Sequence, residues 1–179
     1  ITYGLGYAKY RHQSDEISQN LEMYISMEDN IKVQTLKLEN NGLKKKKLKL
    51  VYYIKPVLEE DKLKSNGYCT LEFIPNSNVI CMKNTAQEET FSQYLFVSSS
   101  EKITSYTGSK QNFVGNGGLA NPDGIRQIKL DNSNSLWQNG IIAIQCEVEL
   151  EALESKEIVF TLGVGKTVLE CQDIAYKYC

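Results

Sequence analysis

Few residues of this chain are spaced in a way that could do chemistry. A phosphate-loop ending occurs at Gly163–Thr167, but the first glycine of that motif would fall on Phe160. A sharp turn from a strand into a helix explains these glycines better. Glu147, Glu149 and Glu151 recur at every second position and are neighbours on one strand face, whereas glycosidases need two carboxylates facing each other across a cleft. We predict a solvated strand face there and assign no catalytic residue.

Metal and nucleophile chemistry also lack the side chains that they require. His12 is the only histidine, and no two of the five cysteines form a Cys-x-x-Cys pair, so a zinc site is not expected. The odd number and irregular spacing of the cysteines argue against a disulfide framework. A single histidine without a nucleophile elbow supports no catalytic triad. We predict no metal and no cofactor for this chain.

A long polar stretch is the best candidate for contact with a ligand. Residues 108–139 are rich in Gly, Asn, Ser and Asp, and loops of this length inside a domain are often functional. Tyr106 and Trp137 lie in or beside this stretch, and the C–H faces of sugars pack on aromatic rings. Packing in a core or at a domain interface is the alternative role for either ring.

The composition is that of an ordinary globular domain without a strong charge. The chain has 179 residues, of which 41% are hydrophobic and 23% charged, and its formal net charge is -2. This balance provides no positive field for nucleic acid or for an anionic membrane surface. No apolar run approaches the roughly 18 residues that span a bilayer, and no secretory segment opens the chain. We expect a cytoplasmic protein and, because Ile1 is not a start methionine, a fragment or a processed product.

Alternation of apolar and polar residues predicts many short strands. The clearest run covers residues 142–150, where Gln145, Glu147 and Glu149 point outward and the even positions are apolar. With frequent turns and no βαβ unit, this pattern predicts an all-β fold, an antiparallel β-sandwich.

Two local signals qualify that pattern. Residues 31–38 change phase near Gln34, which indicates either a bulge or burial on both faces. The sequence Asn-Asn-Gly at residues 40–42 predicts a hairpin turn between two strands. The lysine run at residues 44–47 follows that turn and is interpreted as a solvated turn or as charge that protects a strand edge.

The last residues change period from two to between three and four. Val168, Cys171, Ala175 and Tyr178 recur at helical steps and form one stripe. We therefore predict a sandwich domain over residues 1–165 and a C-terminal helix within residues 166–179.

Four segments of the chain resemble one known family. They are Tyr3–Tyr7, Ser105–Gly115, Leu119–Pro122 and Phe160–Gly165. They are similar to segments of glycosyltransferase family 36, also classed as glycoside hydrolase family 94, which includes cellobiose phosphorylase and the phosphorylase-like part of cyclic β-1,2-glucan synthase. The resemblance covers nearly the whole chain.

The resemblance implies a supersandwich of the galactose mutarotase-like type. In family members a helical linker, which residues 166–179 would begin, leads to a catalytic α/α barrel that is absent here. Those enzymes carry out inverting phosphorolysis or transfer at a β-glucosidic bond, with an aspartic acid in the barrel and inorganic phosphate as co-substrate. Neither the acid nor a phosphate ligand is carried over to this chain, so we expect it to be inactive alone.

The resemblance also implies one contact with substrate. Family members have an acidic or amide residue followed by arginine in the loop that matches Ser105–Gly115, and this pair reaches the acceptor-sugar end of the active site. Ser109 and Lys110 occupy the matching positions, and lysine keeps the cation but loses the planar fork of arginine. Ser109, Lys110, Tyr106 and Trp137 are the predicted contacts for a β-linked oligosaccharide or glucan.

Three roles follow for the chain. The first is an accessory domain of a glycoside phosphorylase or β-glucan glycosyltransferase, which supports the barrel, dimerisation and the acceptor-sugar site. A homodimer is expected because the family's sandwich begins upstream of Tyr3, and an unpaired strand edge invites pairing with another copy. The alternatives are a stand-alone carbohydrate-binding module and a purely structural interaction domain.

Overall fold

The computed structural model of the chain describes residues 1–57, 69–85, 93–134 and 140–179. Strands dominate these residues. They are β1 (Thr2–Gly4), β2 (Tyr7–Ser14), β3 (Ile17–Ile25), β4 (Ile31–Asn40), β5 (Lys46–Ile54), β6 (Cys69–Ile74), β7 (Val79–Asn84), β8 (Tyr94–Ser99), β9 (Ile103–Thr107), β10 (Ile142–Leu150) and β11 (Ser155–Gly165). The helices in the same residues are α1 (Lys110–Val114), α2 (Asp123–Arg126) and α3 (Val168–Tyr178).

The strands form two antiparallel sheets that pack face to face. The larger sheet has eight strands in the order β1-β2-β3-β4-β11-β8-β7-β6, and the smaller has three in the order β5-β10-β9. We call the face that each sheet turns toward the other its inner face, and the opposite one its outer face. The arrangement confirms the predicted antiparallel β-sandwich with a C-terminal helix.

Apolar side chains from both inner faces fill the space between the sheets. Ile144 on β10 and Ile158 on β11 are fully buried there. The Tyr52 ring stacks on Phe160 with centroids 5.1 Å apart, and the Tyr52 hydroxyl donates to Gln34 Oε1 at 2.7 Å. Burial raises the pKa of Tyr52 to about 12, so the hydroxyl remains a neutral donor at physiological pH.

Strand β4 is buried on its outer face at its start and on its inner face toward its end. Ile31 and Val33 on the outer face pack beneath α3 with Cys171, while Leu36 and Leu38 point into the core between the sheets. The pairing of β4 with β3 and with β11 runs without a register shift. The change of phase in the sequence therefore reflects burial on two faces and not a bulge.

Helix α3 lies on the outer face of the larger sheet, and side chains cap its first turn. The hydroxyl of Thr167 accepts from the Glu170 N–H at 3.1 Å, and Glu170 Oε2 accepts from the Lys166 N–H at 2.7 Å. The Thr167 hydroxyl satisfies a backbone donor that the first turn leaves free, and the Glu170 carboxylate holds the residue before the N-cap. Gly163–Thr167 thus forms a strand-to-helix turn, as predicted, and not a phosphate loop.

The turn after β4 connects the two sheets, so the hairpin prediction at residues 40–42 was wrong. Strand β4 pairs with β3 and β11, whereas β5 pairs with β10. Asn40 is 1% exposed, and its Nδ2 donates to the carbonyls of Lys44 and Glu151 at 2.8 Å each. Its Oδ1 accepts from the Gly42 N–H at 3.1 Å. The amide side chain thus forms hydrogen bonds with backbone groups in the connection between the two sheets, where no neighbouring strand provides them.

Acidic side chains neutralise the lysine-rich start of β5. Lys45 Nζ contacts Glu149 Oε2 at 2.7 Å and Glu151 Oε1 at 2.8 Å. Hydrogen bonds from Lys45 and Lys47 lower the pKa of Glu149 to about 2. The carboxylates are neighbours, as predicted, and not an opposed catalytic pair, and Glu149 and Glu151 share the cation of Lys45.

The smaller sheet covers only part of the larger one. Its core residues pack against strands β4, β6, β7, β8 and β11 and against the start of β3. Strand β2 is exposed along most of its length, and Tyr3 and Ile25 on the uncovered inner face are 72% and 71% exposed. Strands β1 and β2 and the end of β3 therefore extend beyond the sandwich with both faces open.

Replacing Ile144 by alanine should lower the free energy of unfolding by about 2–5 kcal/mol, because it leaves a cavity between the sheets. Ile144→Val should cost only about 0.5–1.5 kcal/mol, since it removes one methylene. Ile128 is 87% exposed, and Ile128→Ala is the control. Urea denaturation measures all three, and equal losses for Ile144→Ala and Ile128→Ala would contradict the burial of β10.

Candidate functional site

Residues 108–134 fold back over the outer face of the smaller sheet, and we call them the covering segment. The segment leaves β9 and contains α1 and α2. At its base, Thr107 and Ser133 form a parallel bridge, and the Gly108 N–H donates to the Ser133 carbonyl at 2.7 Å. The predicted polar loop therefore contains short helices and returns to the end of β9, where it started.

Apolar contacts fix the covering segment to the sheet. Phe113 of α1 is 3% exposed, and its ring stacks on Tyr53 of β5 with centroids 5.3 Å apart. Leu130 packs in the same cluster against Ile141. A β-carbon at Gly124 would lie 2.6 Å from the Phe113 ring, so only glycine allows α2 to approach α1 this closely.

Two polar side chains of the sheet hold backbone carbonyls of the covering segment. Lys49 Nζ donates to the carbonyl of Ile125 at 2.5 Å and to that of Gln127. Gln145 Nε2 donates to the carbonyl of Ile128 at 2.8 Å. Gln145 does lie on the outer face, but it is fully buried, because the covering segment replaces solvent there. The prediction of a solvated face holds only farther along the strand, where Glu147 and Glu149 are exposed.

Asp123 holds the glycine-rich turn at residues 115–118. Its Oδ2 accepts from the Asn116 N–H at 2.9 Å. Gly115 and Gly118 adopt positive φ values of 54° and 69°, a conformation that favours glycine. The glycines thus permit a tight turn against α2.

Asp131 joins α1 to the base of the covering segment. Its carboxylate accepts from Asn112 Nδ2 and from the Ser133 N–H. Burial alone would raise the pKa of Asp131, but these hydrogen bonds and one from Thr107 lower it on balance below the ordinary value of 3.8. The charged form of Asp131 is therefore the one that stabilises the segment.

Ser109 and Lys110 lie together at the start of α1. The Ser109 hydroxyl accepts from the Asn112 N–H at 3.2 Å and is the N-cap of the helix. Lys110 is the first helical residue, is half-buried, and makes no ion pair within the described ranges. Of the two predicted contacts, Ser109 has a structural task, whereas Lys110 retains a cation without a partner among the described residues.

Tyr106 lies on the inner face of β9 and not in the covering segment. Its ring centroid is 5.2 Å from that of Phe73 in β6, and its hydroxyl donates to Asn134 Oδ1 at 2.8 Å. This is the core-packing alternative, with only the hydroxyl directed to the end of the covering segment. Trp137 lies outside the described residues. Of the four predicted contacts, the structure therefore describes Ser109, Lys110 and Tyr106.

Sequence analysis missed the residues that fix this site in place. Phe113 had a usable signal, because it is an aromatic residue inside a polar stretch. Gln145 had none, since alternation identifies the face of a side chain but not what covers that face. Asp131 was one of several aspartates in the stretch, and its role depends on the chain returning to β9.

The described part of the chain offers little for other chemistry. It contains no cluster of three or more His, Cys, Asp or Glu side chains that could hold a metal ion. Its helices are all too short or too polar to cross a membrane. Cys81 and Cys171 are buried free thiols in the cluster between α3 and the larger sheet.

Comparison with known families decides the assignment. The profile of the glycosyl hydrolase 94 supersandwich domain matches residues 1–179. The chain belongs to this family. The match confirms the resemblance drawn from the sequence, and the two-sheet fold described above agrees with it.

Curated relatives are much longer than this chain. It is 27% identical over 170 residues to solabiose phosphorylase of Paenibacillus borealis, covering 93% of this chain and 21% of the relative. It is 22% identical over 163 residues to cyclic beta-(1,2)-glucan synthase NdvB of Rhizobium meliloti (strain 1021), covering 90% of this chain and 6% of the relative. A solved polysaccharide lyase superposes on 95% of this chain and 23% of its own, with a TM-score of 0.58 and 12% identity. That last likeness shows the fold alone.

The pKa of Asp131, measured by NMR titration, should lie below 3.8 and should move toward 3.8 in Asn112→Ala, which removes a donor. Gln111→Ala is the adjacent control and should leave the value unchanged. Because folding lowers this pKa, the stabilisation is complete above the unfolded value near 3.9 and is lost as the pH falls through the folded value. An unshifted Asp131 in the wild-type chain would contradict the described geometry.

Proposed function

We propose that this chain is the accessory β-sandwich domain of a longer glycoside phosphorylase or β-glucan glycosyltransferase. It supports the catalytic α/α barrel of the same polypeptide and contributes to the acceptor-sugar end of the active site. Its substrate is a β-linked oligosaccharide or glucan, and inorganic phosphate is bound elsewhere in the whole enzyme. The family match and the length of the relatives, which exceeds this chain several times, support this role.

The observation that carries the proposal is the position of Lys110. The covering segment is fixed to the smaller sheet by the Phe113–Tyr53 stack and by the hydrogen bonds of Lys49. A cation at the start of α1 is therefore held on a rigid element, without an ion pair in the described part of the chain to neutralise it. Such a group suits hydrogen bonding to sugar hydroxyls at the boundary with another domain.

Self-association is the second part of the proposal. Tyr3 and Ile25 on the open inner face, together with the fully exposed Leu5 and Met27, make an apolar surface beside the edge strand β1. Surfaces of this kind mark interaction sites, and an unpaired strand edge invites another strand. We assign this surface to a homodimer contact in a cytoplasmic enzyme.

The 179-residue chain on its own should release no glucose 1-phosphate from a β-glucan and phosphate, because the catalytic acid and phosphate ligands belong to the barrel. Product release is measured by coupled assay, with the full-length enzyme as positive control. Turnover by the chain alone would overturn the accessory role.

Replacing Lys110 by alanine in the full-length enzyme should raise KM for the acceptor sugar about tenfold, the cost of one or two hydrogen bonds to a charged group. The effect on phosphate KM should be small, since that ligand is bound elsewhere. Lys129→Ala alters an exposed lysine of the same segment and is the matched control. Unchanged acceptor kinetics in Lys110→Ala would favour the purely structural role instead.

A further inference from the structure

A second surface lies on the outer face of β2, β3, β4 and β11, beside α3. It forms a groove of about 760 Å³, within the roughly 300–1,000 Å³ typical of ligand sites. Most ligand sites have an apolar lining, whereas polar and charged side chains line this one. The central cross-strand row consists of Arg11, Asn20, Lys37 and Glu157.

The charges of the groove balance one another. They comprise three cations and three carboxylates, namely Lys9, Arg11, Lys37, Glu22, Glu39 and Glu157. Lys9 pairs with Glu22 at 2.9 Å, and Lys37 pairs with Glu39 at 2.7 Å. A surface with no net charge attracts neither an anionic nor a cationic ligand, so its charge pattern suits a neutral polar molecule.

Several donors in the groove are available to such a molecule. Within the described part of the chain, the side chains of Arg11, Gln13 and Asn20 form no hydrogen bond or ion pair. Guanidinium offers a planar set of donors, and each amide offers both donors and an acceptor. Sugar hydroxyls also donate and accept, so they can satisfy all three side chains.

Two tyrosines lie at one end of the groove. Tyr7 and Tyr24 are directly opposite each other on β2 and β3, one row beyond Lys9 and Glu22, and are 40% and 39% exposed. The Tyr7 ring lies over Gly4 of β1, where a β-carbon would be only 2.2 Å from it. Lys9 Nζ also lies over the Tyr7 ring, 5.1 Å from its centroid, so Tyr24 is the ring on which the C–H face of a pyranose would pack.

We propose that this groove binds a neutral oligosaccharide at a site separate from Lys110. A protein partner fits this face less well, because the large apolar side chains that anchor protein interfaces lie on the inner face, at Tyr3 and Ile25. The neutral, polyhydroxylated class follows from the groove itself. The choice of a gluco-oligosaccharide rests on the proposed function.

Isothermal titration calorimetry of the full 179-residue chain with cellotetraose and with linear β-1,2-glucotetraose tests this. We expect at least one tetrasaccharide to bind, and Arg11→Ala and Asn20→Ala each to weaken its binding about tenfold, because each removes one or two hydrogen bonds. Tyr24→Ala should weaken it as well, while Lys102→Ala, which alters an exposed lysine on another part of the surface, should leave it unchanged. Circular dichroism confirms that each variant is folded.

Other outcomes would contradict the proposal that the groove binds sugar, and they distinguish its failure from a failure of the proposed function. If Lys110→Ala abolishes binding and Arg11→Ala leaves it intact, the sugar binds at the covering segment. That result would contradict the groove proposal and support the proposed function. If neither tetrasaccharide binds, the groove is not a sugar site. The acceptor KM of Lys110→Ala then decides the proposed function on its own. A dimer in sedimentation equilibrium that Arg11→Ala dissociates would show that a second copy occupies this face.

Discussion

Burial of both faces over the first half of β10 is the constraint on which the rest of the structure depends. Ile144 and Gln145 are consecutive residues on opposite faces, and both are fully buried. The inner face is closed by the larger sheet, and the outer face by the covering segment. Without the covering segment, Ala143 and Gln145 on the outer face of β10 would be exposed to solvent. The covering segment is therefore part of the core, although its composition is that of a surface loop.

The same constraint separates rigid parts of the molecule from open ones. Layers of α3, larger sheet, smaller sheet and covering segment are stacked through the middle of the domain, where the apolar clusters lie. Strands β1 and β2 extend beyond that stack and are covered on neither face. Lys110 belongs to the stack. The exposed apolar side chains of Tyr3 and Ile25 belong to the extension.

The sequence predicted the features that depend on local periodicity. It did not predict those that depend on contacts between segments far apart in the chain. Alternation in residues 142–150 identified β10, and the change of phase in β4 marked its two buried faces. The Asn-Asn-Gly turn misled, because the same residues that close a hairpin also let a chain cross between sheets. Gln145 and Tyr106 were placed on the correct strands, but their neighbours come from distant segments that alternation does not identify. The role proposed for Lys110 comes from the family resemblance alone, because no pattern within the chain indicates it.

The order of strands has a consequence for how the chain reaches its native state. In the larger sheet, the pairs β1–β2, β2–β3, β3–β4, β6–β7 and β7–β8 each join consecutive strands, so these ladders close over short separations in sequence. The smaller sheet closes over longer separations, because residues 108–141 lie between the paired strands β9 and β10, and the other partner of β10, strand β5, ends at Ile54. Closing long loops costs entropy before any contact compensates for it, and pairing of this kind is slow. We therefore expect the hairpin ladders to form before the smaller sheet, and the segment that carries Lys110 to become ordered only once β5, β9 and β10 have paired.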